Sequence, residues 1–149
     1  MFTHNTYSQL KRWDIGIRFN RPISLSTKYF ITNKSAVEVW GGYYKYRNIN
    51  YTNLAIFYEY YFKIKPVKNF YFNIGIGYQI FYTKFDKGYR NGIFDVDTKH
   101  FYSLLLGFEY RFKFLPISIN LDAIPSLIYV RTIYTFDNGH GALSIGYRF

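Results

Sequence analysis

The sequence predicts an all-β protein, an eight-stranded antiparallel up-and-down transmembrane β-barrel, and three observations lead to this fold class. Aromatic residues make up 24% of the 149 residues, with 18 Tyr and 16 Phe, and aromatic side chains are enriched in strands. Apolar and polar residues alternate along nearly all of the chain after Arg12, which is the period of a strand. Turn residues divide this alternation into eight runs.

Segments rich in Asn, Lys and Pro separate the runs, which cover residues 13–20, 23–31, 36–46, 54–64, 70–84, 99–114, 117–130 and 141–149. The second, fourth and sixth connections are tight, whereas the third, fifth and seventh (47–53, 85–98 and 131–139) are longer. The first connection, which belongs with the longer set, is short. Membrane barrels have short turns at one end and longer loops at the other. Pro125 lies inside the seventh run and cannot donate to a ladder, so we expect a bulge or an early end of the strand there.

Composition excludes several other classes of protein. The absence of cysteine rules out a disulfide scaffold and a thiolate metal site. No window offers about 18 consecutive apolar residues, so helical membrane spans are excluded. The net charge of +10 comes from dispersed bases, and we therefore expect no nucleic-acid partner. We treat residues 1–149 as one barrel domain that carries an N-terminal tail over 1–12.

Alternation alone fits a soluble barrel with an apolar interior and a membrane barrel with an apolar exterior. In the first run, Ile15 and Ile17 alternate with Gly16 and Arg18. An eight-stranded barrel has an interior just wide enough for side chains to fill. Across the runs the apolar face is bulky, whereas the polar face is rich in Gly and Ser. The small face therefore belongs in the lumen and the bulky face in lipid, which predicts the membrane barrel.

Charged residues recur on the polar face of nearly every run, with acids and bases close to balance. Because unpaired charges are costly to bury, we expect one continuous inward ion-pair network of Asp14, Arg18, Lys28, Glu38, Glu59, Lys63, Glu109, Arg111, Asp122 and Arg148. Alternation also places Lys113 on the inward face of its run.

Hairpins centred on the turns predict which of these residues lie opposite each other. The first turn places Asp14 opposite Lys28 and Arg18 opposite Ser24. A loop near residue 50 places Glu38 opposite Lys63. The turn at Pro116 places Glu109 opposite Asp122, and these like charges would need Arg111 or Arg148 between them.

The last strand carries the most specific resemblance. Leu143-Ser144-Ile145-Gly146-Tyr147-Arg148-Phe149 resembles the terminal strand of bacterial outer-membrane proteins, which commonly end in Phe after alternating hydrophobic residues. With its eight runs, the whole chain resembles small barrels of the OmpA, OmpX and OmpW type, and its Tyr and Lys bias resembles that of Bacteroidetes members. The resemblance implies a location in the cell outer membrane. It also implies that the barrel-assembly machinery recognises Leu143, Ile145, Tyr147 and Phe149.

A second set of bases falls at the long-loop end, which the resemblance places outside the cell. These bases would face the anionic outer leaflet, where lipopolysaccharide phosphates offer partners, and they are Arg21, Lys45, Arg47, Lys84, Lys87, Arg90, Lys99 and Arg131. Generic solubilising charge is the alternative explanation.

Evidence for catalysis or cofactor binding is weak, and we expect no catalytic residue, no metal and no cofactor. His140 could pair with a nearby Ser, but no nucleophile elbow accompanies it. Asp95 and Asp97 could contribute to a calcium site, but the rest of a calcium pattern is missing. We expect a structural or interaction role, in lipopolysaccharide contact or as a subunit of a larger outer-membrane complex. A narrow channel for small or apolar solutes and a lipid-modifying enzyme remain alternatives.

Overall fold

The computed structural model describes residues 12–85, 96–130 and 133–149, which form one closed antiparallel barrel. Each strand pairs with its neighbours in chain order, and β1 pairs with β8 to close the sheet. The predicted fold class is confirmed. The strands are β1 Trp13–Phe19, β2 Ser24–Phe30, β3 Ser35–Tyr46, β4 Ile49–Lys63, β5 Phe70–Phe85, β6 Val96–Arg111, β7 Ile117–Val130 and β8 Ile133–Arg148.

Three strands begin earlier than the sequence pattern indicates. β4 begins at Ile49, β6 at Val96 and β8 at Ile133, where the predicted starts were 54, 99 and 141. The long loop predicted over 47–53 is therefore wrong, because β3 and β4 are joined by the two residues Arg47 and Asn48, with Arg47 at a φ of 50°. The loop predicted over 131–139 is also wrong from Ile133 onward. Of the three connections predicted to be long, only the fifth separates its strands by more than two residues. Strands that extend beyond the lipid into water lose their apolar face, so alternation fades before pairing ends.

The first hairpin has the expected register. Asp14 pairs with Lys28 and Arg18 with Ser24, as the turn chemistry predicted. On the other side of β1, the closing ladder pairs Gly16 with Gly146. Because side chains alternate along each strand, this register brings all even-numbered residues of β1 to the lumen.

The bulge expected at Pro125 is confirmed. The β7–β8 register shifts between Ile124 and Ser126, and the β6–β7 pairs leave a gap between Ser103–Ser126 and Leu106–Ala123. Proline has no N–H to donate, so the ladder cannot continue through this position.

The barrel buries one face of each strand and exposes the other. On the outer face, Leu25 is 70% exposed and Ile76 is 63% exposed, whereas on the inner face Arg18 and Glu59 are 0% exposed. This distribution is the reverse of that in a soluble barrel. Among the described residues, no helix is long and apolar enough to cross a membrane.

Candidate functional site

The outer surface is an apolar band with aromatic rings packed against each other near the short-turn end. Trp13 packs on Tyr29 with ring centroids 4.8 Å apart, and Tyr110 packs edge-on against Phe112 at 4.9 Å. The middle of the band is aliphatic, with Ile17 among its exposed residues. Exposed apolar surface on this scale marks contact with a membrane or a partner, and aromatic girdles around an aliphatic band are the pattern of membrane barrels.

Arg18 links the charged side chains in one half of the lumen. Its Nη1 donates to Glu38 Oε1 at 3.1 Å, and its Nη2 donates to Asp122 Oδ2 at 2.5 Å. These three residues come from β1, β3 and β7, so one guanidinium links strands across the lumen. Charge-assisted bonds to two carboxylates fix the guanidinium plane.

Lys28 links the charged side chains in the other half of the lumen. Its Nζ lies 3.2 Å from Glu59 Oε2, 3.4 Å from Glu109 Oε2 and 3.6 Å from Glu38 Oε2. It also donates to the Tyr61 hydroxyl at 2.6 Å, and that hydroxyl donates to Glu59 at 2.5 Å. Glu38 therefore contacts both cations and joins the two halves into one network.

Beside Arg18 lies an apolar cluster that the sequence analysis missed. Trp40, Ala55, Phe57, Leu105 and Ile124 are buried together inside the barrel, with Trp40 and Phe57 stacked at 4.7 Å. Arg18 covers the indole, with Cζ 4.0 Å from the ring centroid. Expecting only small or polar residues in the lumen was wrong. Alternation along their strands places Trp40 and Phe57 on the lumen face. The sequence pattern therefore already indicated that these two side chains lie inside the barrel.

At the short-turn end the network continues with fewer bonds. Ser118 donates to Asp14 Oδ2 at 2.6 Å, and Arg148 Nε lies 4.0 Å from the same oxygen. Arg111 Nε donates to Glu109. The described lumen therefore contains nine of the ten charges in the predicted network.

The tenth charge, Lys63, is exposed at the short-turn end of β4 and lies outside the network. Its predicted pairing with Glu38 is wrong, because Glu38 pairs with Phe57. The tight turn after Tyr46 sets this register, and a loop centred near residue 50 would shift it. Lys113 also has inward parity but is exposed beyond the end of β6.

The pairing of Glu109 with Asp122 is wrong as well. Glu109 lies opposite Asn120, and Asp122 lies opposite Gly107. The expected like-charge contact across this hairpin is therefore absent, and each carboxylate has its own cation: Arg111 for Glu109 and Arg18 for Asp122.

The bases expected at the long-loop end are exposed wherever the structure describes them, and these are Arg21, Lys45, Arg47, Lys84 and Lys99. Lys87, Arg90 and Arg131 lie outside the described residues. The register brings two of these lysines into one row: Lys45 of β3 pairs with Asn50 of β4, and Asn50 pairs with Lys84 of β5. Tyr43, one step below on the same outer face, donates to Asn50 at 2.9 Å.

The candidates for catalysis and metal binding are not brought together. His100 lies within β6, and its Nδ1 is 2.5 Å from the Tyr78 hydroxyl. The His140 ring packs edge-on against Phe81. Asp97 lies 4.0 Å from Lys99, and Asp95 falls outside the described residues. Within the described ranges, no group of three His, Cys, Asp or Glu side chains could hold a metal ion.

The barrel resembles solved bacterial structures in fold at low sequence identity. No protein-family model matches the chain, and no curated protein matches it. The N-terminal β-barrel domain of Pseudomonas aeruginosa OprF superimposes with a TM-score of 0.65 at 13% identity, covering 93% of this chain and 96% of that one. Neisserial surface protein A (NspA) gives 0.58 at 17% identity, covering 92% and 93%.

A third barrel supports the same conclusion. Ail, the attachment invasion locus protein of Yersinia pestis, gives a TM-score of 0.50 at 13% identity and covers 93% of this chain and 94% of that one. The coverage extends over nearly all of each chain, so the likeness applies to the whole barrel. The chain therefore has the fold of small eight-stranded outer-membrane barrels.

Proposed function

We propose that this protein is an outer-membrane β-barrel whose lumen is sealed by its own side chains, with a structural or interaction role in the cell envelope. The observation that carries the proposal is the combination of a buried ionic network in the lumen with an apolar outer face. Small barrels of this strand number are filled by side chains rather than by water. Because lipid covers the outer face and paired charges fill the lumen, the two rims of the barrel remain free for contacts.

The sealed lumen predicts that the protein does not conduct ions. Arg18 and Trp40 are 0% and 1% exposed, and both lie across the lumen. Purified protein in a planar bilayer should show no steady current above the bare-membrane background. The control is a triple variant, Arg18→Ala/Trp40→Ala/Phe57→Ala, which opens the centre of the plug and should produce current. A steady current from the parent protein would support the narrow-channel alternative instead.

We propose anionic lipid as the partner of the long-loop end, with lipopolysaccharide phosphate as the headgroup. The supporting observation is the row of Lys45, Asn50 and Lys84 on the outer faces of three adjacent strands. Neighbouring strands are about 4.8 Å apart, so the two lysine Cα atoms lie roughly 10 Å apart. Long flexible ammonium side chains at this spacing can hold one phosphate between them.

Lys45→Gln/Lys84→Gln should weaken binding of lipopolysaccharide vesicles by about tenfold or more, at about 1 kcal/mol for each surface cation. Vesicle co-flotation at low and high salt measures this change. Lys65→Gln/Lys68→Gln is the matched control, since it also removes two exposed charges but at the opposite end of the barrel, and it should retain most binding. Equal losses in both variants would point to generic surface charge.

The barrel-assembly machinery is the second proposed partner. Leu143, Ile145 and Tyr147 lie exposed on the outer face of β8, and the backbone of Phe149 exchanges two hydrogen bonds with Trp13. Deleting Phe149 should reduce the amount of barrel that reaches the outer membrane in cells, because the terminal residue matches the assembly signal. Heat-modifiable band intensity in membrane fractions measures this amount, and Phe149→Tyr should preserve it. Normal assembly without Phe149 would contradict the proposal.

A larger outer-membrane complex is a further proposed context. The predicted Bacteroidetes type rests on the Tyr and Lys bias and stays a prediction. Crosslinking in intact envelopes, followed by identification of the attached proteins, tests whether such a complex forms.

A further inference from the structure

The short-turn end of the barrel is strongly basic, which the sequence analysis did not notice. Its three turns (31–34, 64–69 and 112–116) contain no Asp or Glu. Each turn carries exposed lysine, and these lysines are Lys34, Lys65, Lys68 and Lys113. The acids nearest this end, Asp14 and Glu109, are buried in the lumen. The rim around the short turns therefore presents positive charge without compensating acids in those turns.

The β6–β7 turn combines this charge with exposed rings. Phe114 is 90% exposed and Leu115 is 54% exposed, and the Lys113 ammonium lies 5.5 Å from the Phe114 ring centroid. A phenylalanine at the tip of a turn is poorly placed in bulk water. It is well placed at a membrane interface, where apolar groups enter the acyl region and lysines stay with the headgroups.

A small cavity opens at the same turn. Its volume is about 160 Å³, and its lining includes Phe112, Phe114, Leu115, Ile117, Lys113 and Arg148. At about 30 Å³ for each water, it has room for roughly five waters, which is enough for one phosphate group. Apolar groups and cations share the lining, so an amphiphile fits it better than a simple salt ion does.

Like Arg111, whose Nη2 has no hydrogen-bond partner among the described residues, Arg148 keeps an unpaired donor at this end. Its Nε lies 4.0 Å from Asp14 and has no hydrogen-bond partner among the described residues. Asp14 meanwhile accepts a bond from Ser118. The guanidinium packs on Phe30, with Cζ 4.8 Å from the ring centroid, which fixes its position at the cavity.

We propose that the β6–β7 turn binds the phosphate of an anionic phospholipid in the leaflet at the short-turn end. Lys113 and Arg148 contact the phosphate, and Phe114 and Leu115 contact the acyl chains. The inference rests on the proposed membrane location and adds a specific lipid site at the opposite end from the lipopolysaccharide row. A free phosphate would use the same cations but would have no use for the exposed rings.

A reporter indole at the turn tests the site. Phe114→Trp in a Trp13→Phe background places one exposed indole there, while the buried Trp40 gives a constant background. The protein is reconstituted in phosphatidylcholine–phosphatidylglycerol bilayers, with bromine on the chains of either one lipid or the other. We expect brominated phosphatidylglycerol to quench the reporter more strongly than its bulk fraction would. The quenching should correspond to a local enrichment of phosphatidylglycerol of about fivefold or more.

Lys113→Gln should reduce this enrichment several-fold and Lys113→Arg should retain it, whereas Lys34→Gln, at an exposed lysine in another turn of the same rim, should leave it unchanged. Equal quenching by the two lipids, or equal enrichment with and without Lys113, would overturn the proposal. Loss of enrichment in millimolar inorganic phosphate, but not in chloride of matched ionic strength, would assign the site to free phosphate and overturn the lipid assignment. If the protein fails to insert into bilayers at all, the proposed function fails instead, and heat-modifiable migration separates the two cases.

Discussion

Replacing Arg18 with Met should destabilise the barrel by about 3–5 kcal/mol, because it leaves two buried carboxylates without their cation. Arg18 donates to Glu38 and Asp122, and all three side chains are nearly or fully buried. Arg18 also covers the Trp40 indole, so packing is lost together with charge. Equilibrium unfolding in detergent, followed by tryptophan emission against urea concentration, measures the change.

The triple variant Arg18→Met/Glu38→Gln/Asp122→Asn separates charge from packing. With the carboxylates neutralised, the loss should be smaller than in Arg18→Met alone, because no uncompensated charge remains. Lys99→Gln, at a 58% exposed side chain, should change stability by about 0.5 kcal/mol or less. A loss in Arg18→Met no larger than in Lys99→Gln would show that the lumen network is not buried as described.

Replacing Gly16 with Ala should cost about 1–3 kcal/mol and lower the yield of closed barrel. A Cβ at this position would lie 2.5 Å from the carbonyl oxygen of Ile145 and 3.0 Å from Gly146 Cα. Both atoms belong to the backbone of β8, so no side-chain rotation relieves the contact. Since β1 and β8 form the closing ladder here, the strain would fall on the seam of the barrel.

Gly41→Ala is the matched control for Gly16→Ala. Its Cβ would meet Leu54 Cδ1 at 3.5 Å and the Asn53 carbonyl at 3.6 Å, which are ordinary contacts. We expect no loss, and a small gain from the reduced entropy of the unfolded chain. The fraction of heat-modifiable band after refolding gives the readout for both variants. Equal behaviour of the two variants would contradict the close approach at the seam.

The strand count and the orientation of each face could be predicted because they depend on local pattern. Period-two alternation places Ile17 outside and Arg18 inside whatever the neighbouring strand does. The interior volume of an eight-stranded barrel then decides which face meets lipid. Pro125 was also predictable, since a residue without an N–H interrupts any ladder.

Register between distant hairpins could not be predicted in the same way. Glu38 was placed opposite Lys63 because the polar stretch 49–53 looked like a loop, whereas it continues β4. Polar strands that extend into water have the composition of loops, and only the pairing partner distinguishes the two. The link from Arg18 to Asp122 spans the lumen between non-neighbouring strands, so no hairpin rule could supply it.

The two native tryptophans provide the most direct test that the apolar face meets lipid and the charged face fills the lumen. Trp13 is 45% exposed on the outer face, whereas Trp40 is 1% exposed inside. Trp40→Phe leaves only the outer indole and Trp13→Phe leaves only the inner one. Each variant is reconstituted in bilayers of brominated phosphatidylcholine. We predict strong quenching of Trp13 and little quenching of Trp40. Equal quenching of the two indoles, or unquenched Trp13, would contradict the orientation of the barrel.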